Sequence, residues 1–299
     1  MKHFLEISQL SQTLASDLMT RAIYFKKSNK FPQYPKNILA NLFYENSTRT
    51  RVSFELAAKN LGIKAINLDL QFSSERKGEV VEDTIQNLAA MGVNIFVIRH
   101  KQSGFSQAMA GILKNNEHII NGGDGTHSHP SQAMLDFMTI MEAKPDLHNL
   151  KIAIVGDILH SRVANSLQSM CSLMRVGELV LVCPEQWQPK PVQYGRITTS
   201  LEDGITDADV VIALRVQRER LSDDTAINIQ QYIESYSITT EKLKQAKRDV
   251  MIMHPGPINR GVEIDSDVAD GPSSFILKQV KNGVFMRMAI IEALIAAKN

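Results

Sequence analysis

The stretch ILANLFYENSTRTRVSFELAAKNLG, residues 38–62, changes its hydrophobic period in mid-course. Ile38 to Tyr44 is an apolar run of strand length, whereas Phe54, Ala57, Ala58 and Leu61 recur at i, i+3, i+4 and i+7, one face of an amphipathic helix. Ser47 is placed to cap that helix, Thr48 to open it, and Gly62 to stop it with a left-handed residue. A helix N-terminus presents unpaired N–H groups and the positive end of a dipole. Here it also carries the hydroxyls of Ser47, Thr48 and Thr50 and the guanidinium groups of Arg49 and Arg51, a set suited to gripping a phosphate or carboxylate. Read alone, the string is more simply a capped helix with solvated arginines, so the rest of the chain has to decide.

Outward from this segment the same alternation continues. Strand-like runs at Ile38–Tyr44, Ala65–Leu70, Asn94–Arg99 and His118–Asn121 alternate with helical patterns at Thr48–Leu61, Glu79–Ala90 and Phe105–Lys114, which predicts a parallel sheet. After a helical pattern from Pro130 to Ala143, strands recur at Lys151–Val155, Leu179–Val182, Val210–Leu214 and Val250–Met253. The expected fold is α/β: two parallel-sheet domains of Rossmann-like topology joined by interdomain helices. We divide them as residues 1–132 with the C-terminal helix 284–299, and residues 133–283.

The chain has 299 residues, 43% of them apolar, enough for two cores. With 33 basic and 32 acidic residues its formal charge is +1, which argues against a general nucleic-acid or membrane-surface binder. Cys171 and Cys183 have no metal-ligand spacing, so no metal site is expected, and both read as buried apolar residues of a reducing compartment. No signal peptide and no run of about 18 apolar residues is present, so a soluble cytoplasmic protein is expected.

In open α/β sheets ligands bind beyond the carboxyl ends of the strands. Those places are loaded with cationic and polar groups: Ser47–Arg51, Arg99-His100 and His129-Pro130-Ser131-Gln132 in the first half, Gly156-Asp157 leading to Ser161-Arg162, Arg215-Val216-Gln217 and His254-Pro255-Gly256-Pro257 in the second. Each has a plain structural explanation: a solvated strand end for Arg99, a cap for His129, a surface charge for Arg162. Together they suit a substrate pair with several negative charges. No GxSxG elbow, HExxH, GxxxxGK[ST] or complete GxGxxG is found. Without an evident nucleophile, metal or organic cofactor, the residues favour positioning and electrostatics, as in group transfer from an activated donor.

The motifs then carry a resemblance. Phe43 to Glu55 resembles the carbamoyl phosphate motif of the aspartate/ornithine carbamoyltransferase family, and His129-Pro130-Ser131-Gln132 its HPxQ motif, in matching order along essentially the whole chain. Arg215 to Arg220 and His254-Pro255-Gly256-Pro257 resemble the aspartate branch, whereas the Ser-Met-Gly and His-Cys-Leu-Pro motifs of ornithine enzymes are missing. The resemblance implies transfer of the carbamoyl group of carbamoyl phosphate to L-aspartate, giving N-carbamoyl-L-aspartate and phosphate for pyrimidine (UMP) synthesis, with no cofactor. It assigns Ser47, Thr48, Arg49 and Thr50 to the phosphate with help from Arg99, and His129, Thr50 and Arg99 to the carbonyl oxygen. Gln132, with the backbone at Pro255, Gly256 and Pro257, is assigned to substrate amino groups, and the Gly256–Pro257 bond is expected to be cis. Two arginines, Arg162 and Arg215, with Gln217 beside them, suit the two carboxylates of aspartate and would repel the ammonium of ornithine.

The resemblance further implies that Ser73 and Lys77 reach into the neighbouring subunit's site in a homotrimer with shared active sites, Lys77 serving carbamoyl phosphate and aspartate alike. The polar segment Gln217–Tyr236 is expected to be a mobile loop, and His127 a loop residue with its side chain in water. Left open are a different amine such as ornithine, a catalytically silent scaffold, and assembly with a regulatory chain or dihydroorotase. The turn Pro257 to Gly261 resembles enzymes without a separate regulatory chain.

Overall fold

The computed structural model describes residues 1–68, 78–113, 116–217 and 227–297. The chain divides into two compact units, Met1–Met138 with Val280–Asn299, and Thr139–Gln279.

The first unit holds the strands β1 (Ile38–Phe43), β2 (Lys64–Asn67), β3 (Ile95–His100) and β4 (His118–Asp124), all parallel, in the order β2-β1-β3-β4. Leu39 pairs with Ile95 and Phe43 with Arg99. Helices α1 (Gln12–Ser28), α2 (Thr48–Asn60), α3 (Val81–Ala90) and α4 (Phe105–Ile112) belong to this unit, as does α5 (Pro130–Ala143) as far as Met138 and α10 (Ile276–Ala296) from Val280. A parallel sheet is covered on both faces, which is why β1 and β3 are near-continuous apolar runs. Ala40, Leu42, Phe96, Ile98 and Ile119 of the sheet pack with Ile85 of α3 and Met109 of α4 into one core. Gly62 stops α2 as expected, with φ 67°. Helix α1 was not apparent from the pattern; Ser11 caps it, its Oγ accepting from Leu14 N at 3.1 Å.

The second unit holds β5 (Lys151–Val155), β6 (Glu178–Val182), β7 (Arg196–Thr198), β8 (Val210–Ala213) and β9 (Met251–Met253), parallel and ordered β7-β6-β5-β8-β9. Helices α6 (Arg162–Leu173), α7 (Leu201–Ile205), α8 (Ile229–Tyr236) and α9 (Ser266–Ala269) complete it. Part of the segment expected as a mobile loop is therefore helix: Asn228 Oδ1 caps α8 by accepting from Gln230 N and Gln231 N, and Tyr232 and Tyr236 are buried. Two tyrosines at i and i+4 gave one buried face to a stretch whose polar composition read as loop.

In each unit the strand order reverses once, between β1 and β3 and between β5 and β8. Such switch points leave a crevice at the carboxyl ends of the diverging strands, the place where open α/β sheets bind ligands.

No helix among the described residues is long and apolar enough to cross a membrane, and no metal-binding cluster of His, Cys, Asp or Glu occurs among them. Cys171 and Cys183 are free and buried, and burial raises both thiols well above their ordinary pKa.

Candidate active site

At the first unit's switch point β1 delivers Ser47 to the N-cap of α2, in an extended conformation. Its side chain makes no capping hydrogen bond, a departure from the expected cap. Thr48 and Arg49, in the first turn, are exposed, and Thr50 is buried at 5% exposure. The neighbouring strand β3 carries Arg99 one residue before its end; Arg99 Nη1 donates to Gly122 O at 3.1 Å and its Nε lies 3.5 Å from Glu45 Oε2. These contacts hold the guanidinium beside the loop that leads to α2. Glu45 was not singled out from the sequence, although its place two residues before Ser47 was a usable signal.

His129 precedes the first residue of α5, and its Nε2 lies 3.5 Å from Thr50 Oγ1. Gln132, one turn on, donates from Nε2 to Asp136 Oδ1 at 2.9 Å. The i, i+4 spacing of Gln132 and Asp136 was legible, but an acidic residue inside an apolar helix face carried no assignment. The turn before His129 is braced by Asp124, which is buried and accepts from Gly104 N, Asn121 Nδ2 and Ser128 N at 2.7–3.1 Å. His127 keeps its side chain partly in water, 40% exposed, and also has partners: Nδ1 is 3.3 Å from Asp124 Oδ2 and Nε2 3.6 Å from Glu6 Oε1. Ser73 and Lys77 lie outside the described residues.

The second unit repeats the arrangement with different residues. Gly156 follows β5 at φ 129°, and a Cβ there would sit 2.8 Å from Leu214 O, so the tight approach of the β5 and β8 ends requires glycine. Asp157 is fully buried, and burial raises its carboxyl while the contact of Oδ1 with His160 Nδ1, 2.8 Å, works against the rise. Ser161 caps α6, its Oγ accepting from Ala164 N at 3.1 Å, which fixes Arg162 as the first helical residue, 7% exposed. Arg215 and Gln217 follow β8, and Gln217 Nε2 donates to His160 O at 3.1 Å. After β9 the Gly256–Pro257 bond is cis. His254 supports that turn: its Nδ1 accepts from Gly256 N at 2.8 Å, and its Nε2 meets Glu263 Oε1 at 3.1 Å, where Asn259 N also donates.

The first unit thus gathers hydroxyls, a histidine and arginines around a helix N-terminus, an arrangement chemically suited to an anion such as phosphate. The second places Arg162 at the start of α6 and Arg215 just beyond β8, cationic groups of the kind that pair with carboxylates.

Comparison with known proteins finds one family model on each half of the chain. Residues 2–142 match the aspartate/ornithine carbamoyltransferase carbamoyl-P binding domain, and residues 148–294 the Asp/Orn binding domain of the same family. The chain belongs to the aspartate/ornithine carbamoyltransferase family. It is 59% identical to the aspartate carbamoyltransferase catalytic subunit of Legionella pneumophila strain Corby and 60% identical to that of strain Paris, over 99% of this chain and 100% of each relative. The aspartate transcarbamoylase of Trypanosoma cruzi, solved in complex with carbamoyl aspartate and phosphate, superposes with a TM-score of 0.86 at 28% identity, covering 97% of this chain and 95% of that one. The carbamoyltransferase fold is therefore common to all of them, and within the family the near relatives bear the aspartate name.

Proposed function

We propose that this carbamoyltransferase chain transfers the carbamoyl group of carbamoyl phosphate to L-aspartate, giving N-carbamoyl-L-aspartate and phosphate, a step of pyrimidine synthesis. The observation that carries the chemistry is the approach of His129 and Thr50 at the N-terminus of α2, within one turn of Arg49. Ser47, Thr48, Arg49 and Thr50 hold the phosphate, with Arg99 behind them. The amine of aspartate attacks the carbonyl carbon; the new C–N bond forms as the C–O bond to phosphate breaks, and the phosphate leaves with that electron pair and takes the amine proton. Negative charge gathers on the carbonyl oxygen during attack, and donors from His129, Thr50 and Arg99 stabilise it. Gln132 and the backbone at Gly256 and Pro257 receive the substrate's N–H groups.

Arg162 and Arg215, assisted by Gln217, bind the aspartate carboxylates. An ornithine ammonium would be repelled there. Ser73 and Lys77 of a neighbouring copy complete the site in a homotrimer, and the enzyme works in the cytoplasm.

The test is phosphate release from carbamoyl phosphate by the purified protein with L-aspartate or with L-ornithine. Release with aspartate alone, with carbamoyl-aspartate identified as product, is expected. Release with ornithine would keep the family and overturn the substrate; no release with either would leave a silent scaffold or a missing regulatory chain or dihydroorotase partner.

A further inference from the structure

His254, just beyond β9, and Glu263 are both buried, at 2% and 1% exposure. A polar group withdrawn from water needs a partner, and here the partners form a chain. Gly256 N donates to His254 Nδ1 at 2.8 Å, and His254 Nε2 lies 3.1 Å from Glu263 Oε1. A backbone N–H can only donate, so Nδ1 is bare and accepts. An imidazolium, with a hydrogen on each nitrogen, is thereby excluded, and Nε2–H is the donor to Glu263. Oε1 also accepts from Asn259 N at 2.6 Å; a neutral carboxyl would carry its proton on Oε2 and leave Oε1 an acceptor. The tautomer of His254 thus follows from the hydrogen bonds alone, whatever the charge on Glu263.

The backbone of Glu263 is itself anchored. Ile238 N donates to Glu263 O at 3.0 Å and Asp265 N to Ile238 O at 3.0 Å, a bridge that fixes residues 263–265 beside the end of α8. At the other end of the chain of contacts, Gly256 takes a left-handed φ of 68°, and the Pro255–Gly256 peptide is trans. In a trans peptide the C=O and N–H point in opposite directions. With Gly256 N–H turned in to His254, the Pro255 carbonyl is turned away from it. That carbonyl belongs to the backbone stretch read above as receiving substrate amino groups. The other neutral tautomer would set an Nδ1 hydrogen against Gly256 N–H and release this peptide; by accepting from Nε2, Glu263 selects against it.

We propose that Glu263 is a positioning residue for carbamoyl transfer: by accepting from Nε2 it keeps His254 Nδ1 bare for Gly256 N–H, which aims the Pro255 carbonyl at a substrate amino group. The inference rests on the carbamoyltransferase reading above.

A double-mutant cycle tests it, with Glu263→Leu and His254→Asn made singly and together and thermal unfolding recorded for each. Glu263→Leu is expected to lower kcat about 10- to 100-fold, the order of loss a misplaced group causes. Glu263→Gln, whose amide oxygen still accepts, is expected to recover most of that loss. Succinate, which is aspartate without its amine, has no hydrogen for the Pro255 carbonyl, so its inhibition constant is expected to hold in Glu263→Leu. His254→Asn puts an amide oxygen where Nδ1 stands and has no tautomer to set, so in that background Glu263→Leu is expected to cost less than about 3-fold. Equal losses in both backgrounds, succinate weakened in step with kcat, or Glu263→Leu at the wild-type rate would each overturn the proposal. If Glu263→Leu does not fold, His254→Asn is compared with His254→Gln. The shorter amide serves Gly256 N and the longer one Glu263, so His254→Asn is expected to be the faster enzyme, and the reverse order would overturn the proposal. Wild-type protein without aspartate-dependent phosphate release would overturn the carbamoyltransferase reading and this inference together, whereas the outcomes above overturn the inference alone.

Discussion

Thr50 Oγ1 and His129 Nε2 lie 3.5 Å apart although 79 residues separate them in sequence. Both residues are 5% exposed. A hydroxyl and an imidazole so placed are both groups that can donate to a substrate oxygen. His129→Ala is expected to lower kcat by about 10²- to 10³-fold, the usual cost of one lost donor to a developing oxyanion. Thr50→Val is expected to do the same, and the double variant to lose less than the product of the two. Steady-state phosphate release is the measurement; a Thr50→Val enzyme at wild-type rate would remove the hydroxyl from the chemistry.

Arg49 separates the demands of the site from those of the fold. It is exposed on the first turn of α2, while the helix is held by the buried face of Phe54, Ala57 and Ala58. Arg49→Ala is expected to abolish turnover while changing unfolding free energy by no more than about 0.5 kcal/mol, as surface substitutions usually do. Denaturant unfolding beside the activity assay reads both. Near-normal turnover would sink the phosphate assignment.

Much of this arrangement was legible because it rests on local pattern. The apolar runs of β1, β3, β5 and β8 and the amphipathic face of α2 announced two parallel sheets, and residues just beyond strand ends were the natural places to look. What escaped is set by tertiary contact. Glu45 and Asp136 stand near motif residues in sequence but reveal their contacts with Arg99 and Gln132 only in the fold, and the approach of Arg287 on α10 to the Phe54 ring does not show in the sequence. Nor do the pairs formed by His127, which only the fold brings to Glu6, 121 positions earlier in the chain by subtraction of their numbers. Helix α8 was missed because its buried face consists of tyrosines, polar enough in composition to pass for loop.

The proposed trimer makes a prediction that no single-chain property can imitate. If Lys77 serves the neighbouring copy's site, chains carrying Lys77→Ala and chains carrying His129→Ala are each inactive as pure trimers, yet a mixed trimer contains sites in which both residues are intact. Unfolding the two together and refolding is expected to restore part of the activity. Proven mixed trimers without activity would count against shared sites.

His3 gives the fold a pH dependence remote from the chemistry. Its Nδ1 accepts from Ile119 N at 3.1 Å, where the N-terminal segment lies along β4, and Phe4 N donates to Ile119 O at 2.8 Å beside it. Burial, followed by the nearby charges of Lys2 and His118, lowers the pKa of His3 from 6.5 to about 4. The folded state therefore takes up a proton less readily than the unfolded chain, so this group's contribution to stability is fully present above pH 6.5 and is lost as pH falls towards 4. Protonation also turns Nδ1 from an acceptor into a donor facing Ile119 N–H, which breaks that hydrogen bond. Urea midpoints measured across this interval are expected to fall more steeply for the wild-type protein than for His3→Asn, whose side chain can accept from the same amide without titrating. Parallel curves for the two proteins would show that acid sensitivity arises elsewhere.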